Sequence, residues 1–236
     1  MKGIATGGPL NVLNERFSCN ARTRSVPVMA LLDAHPTDDP DEFRATIEAH
    51  VECECPCGIR STGPIEKFAL SLFEAQFKAK DWLDKHGRHS YERCLAFQYA
   101  LFCESPIRGN LFELKSRAFV QRALHAARPE VEWTTRKASQ NEDFQLAIDY
   151  VVLCEDEPVL GVQVKPRTAM GKSDTLGLNL SKHEKCPFPV CFHVYDGKGE
   201  LDPADPLVQS AWKTALQRVR SLDDSDKRVK SDHGPS

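Results

Sequence analysis

Apolar residues recur every three or four positions through the first half of the chain, and the period shortens to two after Pro129. Asp39-Pro40-Asp41 reads as a helix start, followed by Phe43, Ile47 and Val51 on one face. Ser61-Thr62-Gly63-Pro64 precedes a long amphipathic stretch through Phe68, Leu72, Phe73 and Phe77. His89-Ser90 opens a third helical segment with Cys94, Phe97, Leu101 and Phe102, and Gly109-Asn110 starts a fourth with Leu111, Leu114, Phe119, Leu124 and Ala127. Four strands are expected beyond Pro129: Val131 to Ala138, Phe144 to Leu153, Val159 to Lys165, and Phe188 to Tyr195. The last ends at the turn signal Asp196-Gly197-Lys198-Gly199. Helical spacing returns from Leu207 to Leu222, and the polar tail 223–236 is expected to be disordered. No internal repeat occurs. The pattern predicts an α/β fold in which a mixed central β-sheet is flanked by helices and the N-terminal half is helical.

Composition narrows the function classes. A chain of 236 residues is long enough for one domain, or a core domain with an elaborated end, without disulfides or metals to hold it. A net charge of -3 excludes a uniformly basic nucleic-acid binder, though not a basic face. The longest early apolar run, Val26 to Leu32, contains a proline and stops after seven residues, well short of the ~20 that a membrane span needs. We therefore expect a cytoplasmic protein with no membrane partner, and nine cysteines present as thiols. Charge is uneven along the chain. From Asp33 to Glu54 eight acids oppose Arg44 alone, whereas from Ser105 to Arg128 five basic residues oppose only Glu113.

Candidate chemistry lies between the two strongest strands. Glu155-Asp156-Glu157-Pro158 reads as a hairpin turn that sets Asp149 opposite Gln163, with Gln163 and Lys165 on one face and Val164 pointing away. A carboxylate, an amide oxygen and an ammonium on one patch suit hard-cation chemistry on a phosphodiester. The oxygens of Asp149 and Gln163 and the Val164 carbonyl are magnesium ligands by type, and Lys165 is placed to steady a water or a charged oxygen.

Ile148-Asp149, the short turn, and Gly161-Val162-Gln163-Val164-Lys165-Pro166 resemble the core of the PD-(D/E)XK nuclease superfamily. They are most similar to type II restriction endonucleases with a GxQVKP-like strand. The likeness covers roughly residues 105–200. It implies a restriction-endonuclease-like core over 105–222, preceded by a helical region over 1–104 that serves dimerisation or DNA recognition. By the same resemblance Asp149 is the metal-binding acid, Gln163 takes the second acidic position, and Lys165 is the lysine. Glu113 matches the extra helix carboxylate, catalytic and metal-binding, that many members supply. Gln163 departs from the pattern, where Asp or Glu is usual, and this gives an acid such as Glu113 or Glu142 more weight. The implied activity is magnesium-dependent cleavage of double-stranded DNA at a short specific sequence, by a homodimer paired with a cognate methyltransferase. Arg108, Lys115, Arg117, Arg122, Arg167, Lys172 and Lys182 are then the expected phosphate contacts. Asn179 and Arg167 are candidates for base contact. The alternatives are a catalytically silent DNA-binding protein, or a repair or RNA nuclease of the same superfamily.

Cys53-Glu54-Cys55-Pro56-Cys57 with His50 nearby raises the question of zinc. Strict alternation is unlike the separated pairs of structural zinc sites, so unligated thiols in a connecting turn are expected. No phosphate-cradling glycine loop is present, and ATP use is not expected.

Overall fold

The computed structural model describes residues 6–17, 19, 26–52, 55–167 and 179–195, together with Lys213 and Gln217. The helix expected over 207–222 and the tail 223–236 lie almost wholly outside the described residues. The chain divides into two compact units, Met1–Leu111 and Phe112–Ser236.

The first unit is helical: α1 (Pro9–Arg16), α2 (Val28–Ala34), α3 (Pro40–Ala49), α4 (Ile65–Lys78), α5 (Lys80–His86) and α6 (Tyr91–Tyr99). Expected starts are found where the capping chemistry is strong. The Asp39 carboxylate accepts from the Asp41 N–H ahead of α3, and the Ser90 hydroxyl accepts from the Arg93 N–H ahead of α6. The α4 stripe of Ile65, Phe68, Ala69, Leu72 and Ala75 is buried. Ile65 and Phe68 pack with Phe43 and Ile47 in one apolar cluster, and Leu72 and Ala75 with Leu13 and Phe97 in another. Full burial of each large apolar side chain contributes about 1.5–3 kcal/mol.

Gly109-Asn110 does not start a helix. After α6 the chain passes through a π-helical turn, Ala100–Glu104, straight into α7 (Ser105–Ala127), so both residues lie in a helix interior. The cause is local: Pro106 lacks an N–H, and its ring would press on the carbonyl four residues back. The wider π turn takes up that conflict without ending the helix. The stripe of α7 buried in the second unit is Phe112, Ser116, Val120 and Leu124, while Leu111 and Leu114 are exposed.

The second unit carries a four-stranded sheet in the order β1 (Trp133–Lys137), β2 (Tyr150–Cys154), β3 (Glu157–Pro166) and β4 (Val190–Tyr195). The first two pairings are antiparallel and β3–β4 is parallel, so the sheet is mixed, as expected. Val120 and Leu124 of α7 pack with Tyr150, Val152 and Val162 on one face of the sheet. Ile148, Val151 and Phe188 form a smaller cluster on the other. Within the α7 face, the Ser116 hydroxyl is bonded to the Tyr150 hydroxyl at 2.7 Å and to His193 Nδ1.

One expected strand is corrected. Phe144 to Ile148 is not extended: α8 (Gln140–Leu146) occupies most of it, and β2 begins only at Tyr150. Ser139 and Glu142 form a reciprocal capping box, and Ala147 ends the helix in the left-handed conformation at φ 54. Glu142 also makes two bonds of 2.7 Å to the Arg136 guanidinium on β1. Those bonds, helped by the Ser139 N–H and hydroxyl, lower the Glu142 pKa from 4.5 to about 2.

A carboxyl held this low contributes stability above its unfolded pKa and loses it as pH falls toward the folded one. Glu142→Gln, which preserves the cap but not the charge, should therefore destabilise the fold by about 1–2 kcal/mol at pH 7. In thermal melts the gap from wild type should close between pH 4.5 and about 2. A gap that is independent of pH would show that the Arg136 pair contributes nothing.

Candidate active site

The β2–β3 hairpin turns on Glu155 and Asp156, both left-handed at φ 48 and 67, and Glu157 already pairs with Cys154. The turn is thus two residues shorter than the expected Glu155–Pro158. A bulge at Val152/Leu153 then shifts the register, so that Val152 pairs with Leu160 and Tyr150 with Val162. The paired register ends at Tyr150–Val162, one residue short of the expected Asp149–Gln163 pair, and Asp149 joins β3 through other bonds. The Asp149 N–H donates to the Val162 carbonyl at 2.8 Å, and the Val164 N–H donates to Asp149 Oδ2 at 2.6 Å. The carboxylate is thereby held against β3.

Gln163 and Lys165 point away from α7, on the face that carries Gly161. A Cβ on Gly161 would stand 3.0 Å from Ile148 Cγ2 and 3.2 Å from both Phe188 Cε2 and Val190 Cγ2. The glycine therefore permits the close packing under the site. Gln163 is only 3% exposed, and its Oε1 is buried with no hydrogen-bond partner among the described residues. An unmet buried acceptor of this kind costs about 1–3 kcal/mol. Burial raises the Asp149 pKa from 3.8 to about 6, against the opposing influence of the Lys165 ammonium and the Val164 N–H.

A cleft of about 670 Å³ opens over this patch, lined by Gln163 and Lys165 from β3 and by Gln140, Asp143 and Phe144 from α8, with Asn179 and Lys182 opposite. Asp149 sits behind the lining. Lys182 Nζ donates to the Phe144 carbonyl at 2.6 Å and lies over the Phe144 ring. His183 Nε2 donates to the Ala147 carbonyl at 3.2 Å. Of these, Gln140 and His183 carry no signal in the sequence that marks them for the site. The Ser139-x-x-Glu142 capping signature was the signal that could have found α8.

The other expected site residues fall elsewhere. Glu113 is on the sheet-facing stripe of α7, 9% exposed and 3.9 Å from the Arg117 guanidinium, and it does not line the cleft. Arg117 also donates to the Thr135 side chain at 3.2 Å and the Thr135 carbonyl at 3.0 Å, which ties it to β1. Arg108, Lys115 and Arg122, seven residues apart, form one exposed line along α7. Arg167 is exposed, and Lys172 lies outside the described residues.

The donors suit a hard divalent cation: a carboxylate whose charged form is disfavoured by burial, and an amide oxygen left unmet. No protein-family model matches the chain, and no curated protein or solved structure matches it. Among the described residues, no helix is long and apolar enough to cross a membrane.

Because the folded Asp149 carboxyl binds its proton more tightly than the unfolded one, stability falls as pH rises from 3.8 to about 6 and stays reduced above that. Asp149→Asn should thus melt a few degrees higher than wild type at pH 8 without divalent metal, a gain of about 1–3 kcal/mol. The gain should vanish below pH 4. An Asn variant that is less stable than wild type at pH 8 would assign Asp149 a purely structural role.

Proposed function

We propose that the chain is a magnesium-dependent endonuclease of the type II restriction kind, cutting double-stranded DNA at a short specific sequence. The observation that carries this reading is the unmet Gln163 oxygen, buried on the strand face that bears Lys165, one residue from the Val164 N–H that holds the Asp149 carboxylate. Asp149 and Gln163 would hold Mg2+, with the Val164 carbonyl as a further oxygen. Bound there, Mg2+ supplies charge to polarise a phosphate oxygen and to acidify a water.

The chain's own groups do the rest. The Val164 N–H keeps the Asp149 carboxylate in place as a phosphate approaches. The Lys165 ammonium, with three donors, orients the attacking water and covers the charge that builds on the phosphate oxygens. Attack on phosphorus breaks the bond to the 3′-oxygen and leaves a 5′-phosphate and a 3′-hydroxyl. Lys182 at the cleft and Arg167 after β3 supply phosphate contacts, whereas the basic residues of α7 are on the helix that covers the other face of the sheet. Arg117 acts within the fold by holding α7 to β1. Two strands related by a two-fold axis call for a homodimer, and a cytoplasmic host needs a methyltransferase to protect its own sites.

A catalytically silent DNA-binding protein is the second reading. It is favoured by the neutral amide at Gln163 and by Glu113, whose carboxylate faces Arg117 rather than the cleft.

Incubation with unmethylated phage DNA separates these readings. Discrete fragments that require magnesium are expected, whereas a smear would point to a non-specific nuclease. A folded protein that binds DNA and never cuts it would favour the silent reading. Lys165→Ala and Asp149→Ala should each lower the cleavage rate on the order of 100- to 1000-fold or more while DNA binding persists. Undiminished cleavage by Asp149→Ala would overturn the site.

A further inference from the structure

In the helical unit, α2 and α3 end at the same place. His35 is the C-cap of α2 and His50 the C-cap of α3, and their ring centroids are 4.7 Å apart. The connection from α3 to α4 contains no helix or strand among its described residues, yet it brings Cys55 and Cys57 up to both rings. Cys55 Sγ is 3.8 Å from His35 Nε2, and Cys57 Sγ is 3.4 Å from His50 Nε2. All four ligand atoms lie within 4.8 Å of one another.

A tetrahedral zinc ion with ~2.3 Å bonds to sulfur and ~2.0 Å bonds to nitrogen sets its ligand atoms roughly 3.3–3.8 Å apart. The two sulfur–nitrogen distances already fall in that range. Two thiol–imidazole hydrogen bonds would account for each pair separately, but not for the convergence of all four atoms. A further bond distinguishes the cluster. His50 Nδ1 lies 2.7 Å from the Thr46 carbonyl, which can only accept, so Nδ1 carries the proton. Nε2 is then left with its lone pair toward Cys57. Metal-bound histidines are fixed in this way, by donation from the other ring nitrogen to a carbonyl.

We propose that His35, His50, Cys55 and Cys57 bind one zinc ion that fastens the ends of α2 and α3 to the loop before α4. Two thiolates and two neutral imidazoles balance the charge of Zn2+ and are softer than a magnesium site would require. Four protein ligands leave no open position, so the role is structural. The need is physical as well. Helices of seven and ten residues have little stability of their own, and a long irregular loop asks for a fastening. The cysteine run in the sequence pointed to this loop. His35, on a different helix end, supplies what that run lacked.

Zinc content measured by mass spectrometry on the full chain, expressed with zinc and purified without chelator, should be about one ion per chain. Cys55→Ser and Cys57→Ser should lose most of it, while Cys186→Ser, outside the cluster, keeps it. In case the cluster variants fail to fold, wild-type protein answers alone. Titration of its thiols with a mercurial should release the zinc stoichiometrically to a colorimetric chelator, and cobalt substitution should give the intense visible bands of a tetrahedral site with thiolate ligands. A folded wild-type chain that holds no zinc and takes up no cobalt would overturn the proposal. So would full zinc in a folded Cys57→Ser variant, or a disulfide between Cys55 and Cys57 found by thiol counting.

Discussion

Side chains alternate across a strand, so a one-residue slip between β2 and β3 would carry Gln163 and Lys165 to the face occupied by α7 and push Val162 and Val164 out toward the cleft. Three features prevent it. The turn places two non-glycine residues, Glu155 and Asp156, in the left-handed region, at a cost of about 1–2 kcal/mol each that only one register makes worthwhile. The bulge at Val152/Leu153 inserts one residue and so resets which side chains face each other. Beyond the regular ladder, the bonds Asp149–Val162 and Val164–Asp149 continue the pairing through a side chain. The lining of the cleft depends on this register.

The two faces of the sheet are built on different principles. The α7 face is an apolar layer with polar groups set into it: the Ser116–Tyr150–His193 set, which bonds inside the core, and Glu113 with Arg117 beside β1. The opposite face is thinner. Ile148 and Phe188 close it at one end over Gly161, and polar groups from α8 and β3 line the cleft beyond. A small apolar floor beside a polar cleft is what keeps Gln163 nearly dry and Asp149 half-buried while Lys165 reaches solvent.

Much of this was legible in the residues, and the failures have causes. Strands and helix starts governed by short-range chemistry, such as Asp39, Ser90 and the period-two runs of β3 and β4, fall where the pattern put them. The hairpin that brings Asp149 to β3 was also readable, although the turn is tighter than expected, the register is reset by a bulge, and Asp149 bonds to Val162 and Val164 instead of pairing with Gln163. What could not be read was set by competition between signals. Apolar alternation from Phe144 suggested a strand, but the Ser139–Glu142 cap and the Arg136 pair drew the segment into a helix. Gly109-Asn110 looked like a helix start, but the π turn before Pro106 lets one helix run on through both residues. His35 belongs to the cysteine cluster only through the folding of two helices, which no local spacing reveals.

An amide at position 163 has a consequence for how the cleft meets its surroundings. Two carboxylates in so dry a place could not both ionise near neutrality, and the pair would share a proton. With glutamine there, only Asp149 titrates between the two oxygens, so the oxygen of Gln163 is available at every pH without an ionisation of its own. A cation entering the cleft would then exchange for at most one proton instead of competing with a coupled pair. Between these two oxygens, the amide leaves a single proton to exchange.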